Sequence, residues 1–465
     1  MQNDATMNLK DVHSVYFVGI GGIGMSAIAR YFLHSGLQVA GYDKTPSELT
    51  KTLAAEGAQV HYDDDVRQIP DACLDASTCL VVYTPAIPAE HTELTYFRQH
   101  GFTIQKRAQV LGLLTQSMRG LCVAGTHGKT TTSSMAAHLL HQSHVDCNAF
   151  LGGITKNYGT NYIFSTQSPY VVIEADEFDR SFHWLTPFAS VITATDADHL
   201  DIYGTEEAYL ESFRHYSSLI QSGGFLILHT GLAMKPDVQE GVTVFTYSQD
   251  TGDFHARNIR IGNGEICFDL VSPLGDIADI TLGVPVLVNI ENGIAAMALA
   301  QIAGATAEEI RRGMQSFKGV DRRFDIHLKT DKAVYVSDYA HHPEEIRQSL
   351  ASLKQLYAGR RLKVIFQPHL YTRTRDFYRQ FADALSLADD VTLTEIYPAR
   401  EKPIPGVSSE LIYDNLRPGV KREICRSEDV CDIVRRGGFD VLVTLGAGDI
   451  EKYADDITQI LKNRT

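Results

Sequence analysis

Gly125-Thr126-His127-Gly128-Lys129-Thr130-Thr131 follows the apolar run Leu121-Cys122-Val123-Ala124 and leads into a helix-patterned stretch from about Thr130 to His141. A glycine loop in that setting turns backbone amides toward phosphates, with Lys129 set against their charge and Thr130 on Mg²⁺. Val123 stands five positions before Gly128, so the loop is a shortened variant of the GxxxxGK[ST] pattern. Glu174 closes the apolar strand Val171-Val172-Ile173, where a metal-binding carboxylate would face such a loop, and His199 follows a strand in Asp196-Ala197-Asp198-His199-Leu200-Asp201. Of Glu174, Asp176, Glu177 and Asp179, at least two are expected to be a solvated acidic turn, since Mg²⁺ takes few carboxylates and keeps several waters.

A second phosphate-seeking feature lies earlier. Gly19-Ile20-Gly21-Gly22-Ile23-Gly24 fits GxGxxG between the strand Ser14 to Val18 and a helix from about Met25 to His34, and Asp43 ends the next strand. Missing side chains let amides and a helix N-terminus approach a diphosphate, while the carboxylate accepts from a sugar hydroxyl. Such a turn serves NAD, FAD or a UDP-sugar equally.

Further on stand Asp321-Arg322-Arg323-Phe324 and Asp338-Tyr339-Ala340-His341-His342-Pro343. The histidine pair reads as surface or hydrogen-bonded side chains rather than a metal site, since no cysteine or third histidine is near in sequence. Lys354, Arg360, Arg361, Lys363, Arg373 and Arg375 form a stretch without an acidic residue, a locally inverted field. Arg360 and Arg361 are expected on a solvated helix face. For Arg373 and Arg375, in the loop Gln367 to Arg375, an anion-binding role and plain surface charge both fit.

Apolar runs ending in glycine turns and leading into helical stretches recur along the chain, the rhythm of α/β domains with parallel sheets. A third round begins near Phe324, with strands at Ala333 to Val336, Lys363 to Phe366, Val391 to Thr394 and Val441 to Leu445. Between about Gly224 and Leu282, alternation with many glycines suggests an antiparallel edge or subdomain. The chain of 465 residues divides into about three domains at roughly 150 residues each. Their expected bounds are 1–106, 107–323 and 324–465.

With 42 basic and 57 acidic residues the net charge is −15, which argues against nucleic-acid or anionic-membrane binding. Seven cysteines without a CxxC pair make neither a disulfide framework nor a zinc site, and reduced thiols fit a cytoplasmic protein. No secretory leader or membrane span is expected.

One nucleotide turn, a phosphate loop about a hundred residues later and a third α/β unit with a basic loop together resemble the Mur ligase family. The motifs that carry the resemblance are Phe17 to Ser26, Ala124 to Thr131, Glu174 to Glu177, Asp338 to Pro343 and Gln367-Pro368-His369. It implies a three-domain architecture: an N-terminal Rossmann-like domain for a UDP-sugar, a central P-loop ATPase domain and a C-terminal Rossmann-like domain. It implies an ATP-dependent ligase of peptidoglycan precursor synthesis, joining L-alanine to the lactyl carboxylate of UDP-N-acetylmuramate through an acyl phosphate. Gly19, Gly21, Gly22 and Gly24, with Asp43, Thr84, Arg107 and His369, would serve the UDP-sugar. The loop Gly125, Thr126, His127, Gly128, Lys129, Thr130 and Thr131, with Asn289, Asn292, Arg323 and Asp338, would serve ATP. Thr130, Glu174 and His199 would hold Mg²⁺, and Lys129, His199, His342 and Arg373 would be catalytic, with His199 or His342 as the base.

Val288 stands where the family commonly has histidine, and Leu370 where many relatives have arginine. Phe213 matches the carbamylated lysine of some sister ligases, so no carbamate bridge between metal ions is expected. The third domain is expected to close after ATP binds, and the chain to be a monomer or homodimer. Two other readings share features: a sister ligase that adds a murein peptide to UDP-N-acetylmuramate, and an NAD-dependent oxidoreductase. The latter leaves the Lys129 loop and Glu174 unexplained.

Overall fold

The computed structural model describes residues 11–84, 87–88, 90–196, 200–262, 264–399 and 401–464. Its backbone divides into two compact units, Met1–His255 with Val271–Asp276 and Asn292–Gly313, and Ala256–Leu270 with Ile277–Glu291 and Met314–Thr465.

The first unit holds two sheets. One contains β1 (Ser14–Val18), β2 (Gln38–Tyr42), β3 (Gln59–His61), β4 (Cys79–Tyr83) and β5 (Thr103–Lys106), in the order β3-β2-β1-β4-β5. All its pairings are parallel. The strand order reverses at β1, and ligands of open parallel sheets sit beyond the strand ends at such a point. β1 is buried at every residue, as a parallel strand covered on both faces must be. The helix Ile23–His34 starts directly after the glycine turn, two residues earlier than the apolar pattern suggests.

The other sheet contains β6 (Arg119–Ala124), β7 (Asn148–Thr155), β8 (Thr160–Ile163), β9 (Tyr170–Ala175), β10 (Ala189–Ile192), β11 (Phe225–His229) and β12 (Thr243–Tyr247). Its order is β12-β11-β10-β6-β9-β7-β8, parallel except where β8 runs against β7. β6 lies between β10 and β9, with Val123 opposite Glu174 and Ala124 opposite both Ala175 and Ile192. That register delivers Glu174 and Thr193 to the two sides of the loop beginning at Gly125.

In the second unit β13 (His255–Gly262), β14 (Glu265–Val271) and β15 (Ile277–Thr281) form a three-stranded sheet in which β14 and β15 are antiparallel. The antiparallel expectation from about Gly224 is thus corrected: β11 and β12 are parallel members of the phosphate-loop sheet, and the antiparallel sheet begins only at β13. The interior of β11, Leu226-Ile227-Leu228, is buried, as a strand inside a covered parallel sheet requires. The last sheet contains β16 (Asp325–Lys329), β17 (Val334–Asp338), β18 (Leu362–Phe366), β19 (Asp390–Leu393), β20 (Lys421–Ile424) and β21 (Val441–Leu445), ordered β16-β17-β21-β18-β19-β20. Only β16 is antiparallel to its neighbour.

Two expectations about the basic stretch are also corrected. Arg360 and Arg361 lie in the turn after the helix Pro343–Leu356, not on a helix face. Arg373 and Arg375 lie inside the helix Tyr371–Leu385, because that helix starts directly after Leu370. Among the described residues no helix is long and apolar enough to cross a membrane.

Candidate active site

The glycine turn is tight because side chains already occupy the space around it. A Cβ on Gly21 would lie 2.8 Å from Asp43 Oδ2, and one on Gly24 2.6 Å from Arg107 Nη1. Gly19 has φ +94°, and its Cβ would lie 2.9 Å from the Thr84 methyl. Asp43 Oδ2 accepts from the Gly21 amide at 2.7 Å, fixing the carboxylate beside the turn. Gly22 caps the helix Ile23–His34 with no side-chain hydrogen bond, which suits an incoming anion. Gly19, Gly21, Gly22, Gly24, Asp43, Thr84 and Arg107 are therefore brought together as expected.

The phosphate loop is built similarly. The helix Lys129–His141 begins at Gly128, whose φ of +80° is left-handed and whose Cβ would lie 2.7 Å from Asn292 Oδ1. Asn292 Oδ1 accepts from Thr132 Oγ1 at 3.2 Å, so this asparagine stands at the loop while Asn289 falls in the second unit. Gly125 must be glycine because a Cβ there would collide with Thr193 Oγ1 and lie 2.8 Å from the Ala194 amide. Thr126 Oγ1 donates to Asp196 O at 2.8 Å, and the His127 carbonyl accepts from Thr193 Oγ1, leaving the His127 side chain exposed. Thr131 is half-buried in the first helical turn.

Thr130 Oγ1 donates to Glu174 Oε1 at 3.0 Å, and the Gly152 amide donates to Glu174 Oε2 at 3.1 Å. Burial pushes the Glu174 carboxyl above its usual range, against the pull of Lys129. A hydroxyl and a half-buried carboxylate meeting at a phosphate loop are a hard oxygen donor pair of the kind Mg²⁺ takes, so the residues fit that ion. His199, the third expected ligand, lies outside the described residues.

Lys129 Nζ donates to Gly125 O at 2.6 Å and to Glu177 Oε1 at 2.9 Å. Glu177 is thus no solvated turn residue: its side chain is 2% exposed and forms the ion pair of the loop lysine. Of the four acids only Asp179 is exposed, and it pairs with Lys106. Asp176 meets Arg107 at 3.5 Å.

The glycine turn and Glu174 share a cavity of about 360 Å³, lined by Gly22, Gly24, Thr84 and Arg107 together with Gly152, Glu174 and Asp176. The sequence reading passed over Gly152, whose Cβ would come within 2.5 Å of Glu174 Oε2. Its signal was a Gly152-Gly153 pair inside an otherwise apolar strand, the mark of a close approach.

The second unit gathers Arg323, Asp338, His342, His369 and Arg373 around the ends of β17 and β18 and carries Asn289 on the helix Val288–Ala303. Asp338 accepts from Ser349 Oγ, and burial pushes its carboxyl up against the pull of Arg323. Arg323 lies 5.2 Å over the Tyr339 ring. Asn289 Nδ2 donates to Val284 O at 3.1 Å, holding its own loop. His342 heads the helix Pro343–Leu356, its ring 5.2 Å from Phe377. His369 Nδ1 lies 3.2 Å from Arg373 Nη1, and the His369 ring stacks 5.8 Å from Tyr397. Burial and Arg373 pull the His369 pKa down to about 4, so this imidazole is neutral at pH 7.

The inverted field is smaller than the sequence implies. Lys354 pairs with Asp389 at 2.8 Å, buried Lys363 with Asp390 at 2.9 Å, and Arg375 with Asp376 at 2.7 Å. Asp389 and Asp390 lie well beyond the stretch in sequence, whereas Asp376 directly follows Arg375, and Arg373 stands beside His369.

A nucleotide turn and a phosphate loop on successive parallel sheets, followed by a third α/β sheet, define a three-domain, ATP-using α/β enzyme. The comparisons give its family: the Mur ligase family catalytic domain matches residues 14–119, the Mur ligase middle domain 123–300, and the Mur ligase glutamate ligase domain 322–448. The chain belongs to the Mur ligase family, and with that the oxidoreductase reading of the glycine turn is set aside. It is 64% identical to the UDP-N-acetylmuramate–L-alanine ligase of Phocaeicola vulgatus over 98% of this chain and 100% of that one. With the enzyme of the same name from Porphyromonas gingivalis the identity is 52%, over 96% and 99%. The crystal structure of UDP-N-acetylmuramate-alanine ligase from Thermotoga maritima superposes with a TM-score of 0.79 at 27% identity, covering 97% of this chain and 100% of that one. A murein peptide ligase from Psychrobacter arcticus, at 22% identity and a TM-score of 0.62, shares the fold.

Proposed function

We propose that this chain joins L-alanine to the lactyl carboxylate of UDP-N-acetylmuramate with conversion of ATP to ADP and phosphate. The observation that carries the reading is the shared cavity, in which the sugar-nucleotide turn and Arg107 face the carboxylate that meets Thr130 of the phosphate loop. A UDP-sugar held on Gly21, Gly22 and Gly24 by its diphosphate can reach its carboxylate toward Glu174 there.

A carboxylate is a poor electrophile, and taking the γ-phosphoryl group of ATP makes it an acyl phosphate with a good leaving group. Amides of the loop 125–131 and the Lys129 ammonium stabilise charge on the transferring group. Thr130 and Glu174, with His199, would hold Mg²⁺, which when bound neutralises charge on the phosphates. The neutral amine of L-alanine then attacks the acyl carbon, the tetrahedral adduct gives the amine's proton to a base, for which His199 and His342 are the candidates, and phosphate is expelled as the amide forms. Asn292 and, in the second unit, Asn289, Arg323 and Asp338 are assigned to ATP. His342, His369 and Arg373 are assigned to alanine and the muramyl end, with neutral His369 and cationic Arg373 suited to a carboxylate partner.

Phosphate release from ATP with UDP-N-acetylmuramate, tested with L-alanine, glycine, L-serine and a tripeptide in turn, checks the assignment. L-alanine is expected to support turnover. Turnover with the tripeptide alone would assign the murein peptide reaction instead, and none with any amine would refute both. In the same assay Lys129→Ala is expected to lower the rate by at least about 10³-fold. Its affinity for the UDP-sugar should be unchanged, because that ligand is held on the other sheet.

A further inference from the structure

The ammonium of a phosphate-loop lysine has three N–H donors, and the chain itself holds two of them closely and reaches the third only at 3.5 Å, through the Thr126 carbonyl. One goes to the Gly125 carbonyl at 2.6 Å and another to the Glu177 carboxylate, whose two oxygens lie 2.9 and 2.8 Å from Nζ. The pair is enclosed, with side-chain exposures of 16% for Lys129 and 2% for Glu177. A buried charge of this kind is retained only against an opposite one, and removing either partner strands the other.

Glu177 is also held from behind. Its carbonyl accepts from the Tyr203 hydroxyl and from the Arg180 amide, the latter at 3.0 Å. Tyr203 packs edge-on against Tyr209 with ring centres 4.8 Å apart, and Tyr209 OH meets Thr126 Oγ1 of the loop at 3.0 Å. One brace therefore clasps the acidic turn and the phosphate loop, fixing the carboxylate relative to the ammonium. The two glutamates of Glu174-Ala175-Asp176-Glu177 divide their duties, Glu174 facing Thr130 and Glu177 facing Lys129.

We propose that Glu177 is a positioning residue for phosphoryl transfer, holding the Lys129 ammonium against the loop so that its least engaged N–H, 3.5 Å from the Thr126 carbonyl, turns to the transferring group. This rests on the ATP-dependent reading above. The carboxylate also cancels charge that a polyphosphate would otherwise meet, so it weakens ground-state ATP binding while favouring the transition state, the division that raises kcat.

The test compares wild type, Glu177→Gln and Glu177→Asp by kcat, ATP KM, calorimetric ATP affinity and melting temperature. Glu177→Gln is expected to lose about 10²-fold in kcat, the size of a misaimed catalytic group, while binding ATP as tightly as wild type or more so. Glu177→Asp, which keeps the charge, is expected to recover at least about 10-fold of that loss. Wild-type kcat in Glu177→Gln would overturn the proposal, as would parallel losses of kcat, ATP affinity and melting temperature that Asp does not rescue. Should the Gln variant fail to fold, Glu177→Ala decides: a reduced kcat with unchanged ATP affinity supports the role, and a wild-type kcat refutes it. Absent wild-type turnover would instead refute the ATP-dependent reading.

Discussion

Gly24 and Arg107 meet at the wall of the cavity at a distance that leaves no room for a methyl group, since a Cβ on Gly24 would lie 2.6 Å from the guanidinium. The obstructing atom is the far end of a flexible side chain, so Gly24→Ala displaces Arg107 rather than the backbone. The expected outcome is a melting temperature within a few degrees of wild type, with UDP-N-acetylmuramate binding weakened by about 10-fold or more through loss of one aimed cation. Calorimetry and a thermal melt check both halves, and a variant that binds normally would take Arg107 out of the sugar-nucleotide site. Most of the first unit's site was legible at this scale because the residue types carry the chemistry: glycines before a helix, a lysine and a threonine after them, a carboxylate ending the adjacent strand. Glu177 was not, because sequence spacing does not separate a solvated acid from one folded inward onto Lys129.

Among the elements, the helix Thr92–Gln99 carries a titration that pH can read. Asp64 accepts from its first amides, Thr92 at 2.8 Å and Glu93 at 3.1 Å, and His91 caps it. Glu93 is fully buried, accepting from Tyr16 OH at 2.7 Å and from the Asp65 amide at 3.2 Å, with His61 Nε2 3.4 Å away. Burial pushes its carboxyl up to about 7. A carboxyl at about 4.3 when unfolded and near 7 when folded stabilises fully below the lower value, and that stability is lost as pH rises through the higher one. Between pH 5 and 8 wild type should therefore lose up to about 3 kcal/mol relative to Glu93→Gln. Denaturant melts at both pH values check it, and parallel profiles for the two proteins would contradict it. The first strands, their turns and the loop helix were readable from apolar runs meeting glycine. β16 and β20 were not, since Asp325-Ile326-His327-Leu328-Lys329 and Lys421-Arg422-Glu423-Ile424 mix charge with few apolar residues, as sheet-edge strands do.

Across the whole molecule, a net charge of −15 is compatible with the two proposed nucleotide sites because the groups assigned to the phosphates are local: loop amides, Lys129, Arg107 and Arg373. The α/β rhythm and the order of motifs made the three-domain architecture legible. Long-range pairing hid how much of the basic stretch is neutralised, because Asp389, Asp390 and Glu423 reach Lys354 and Lys363 only once β18, β19 and β20 lie side by side. In the proposed reaction ATP activates the sugar's own carboxylate before the amine arrives. Its most direct measurement follows ¹⁸O from UDP-N-acetylmuramate labelled in the lactyl carboxylate, with ATP and L-alanine, by mass spectrometry of the products. One ¹⁸O is expected in each phosphate released, with one amide formed per ADP. Released phosphate free of the label would contradict it.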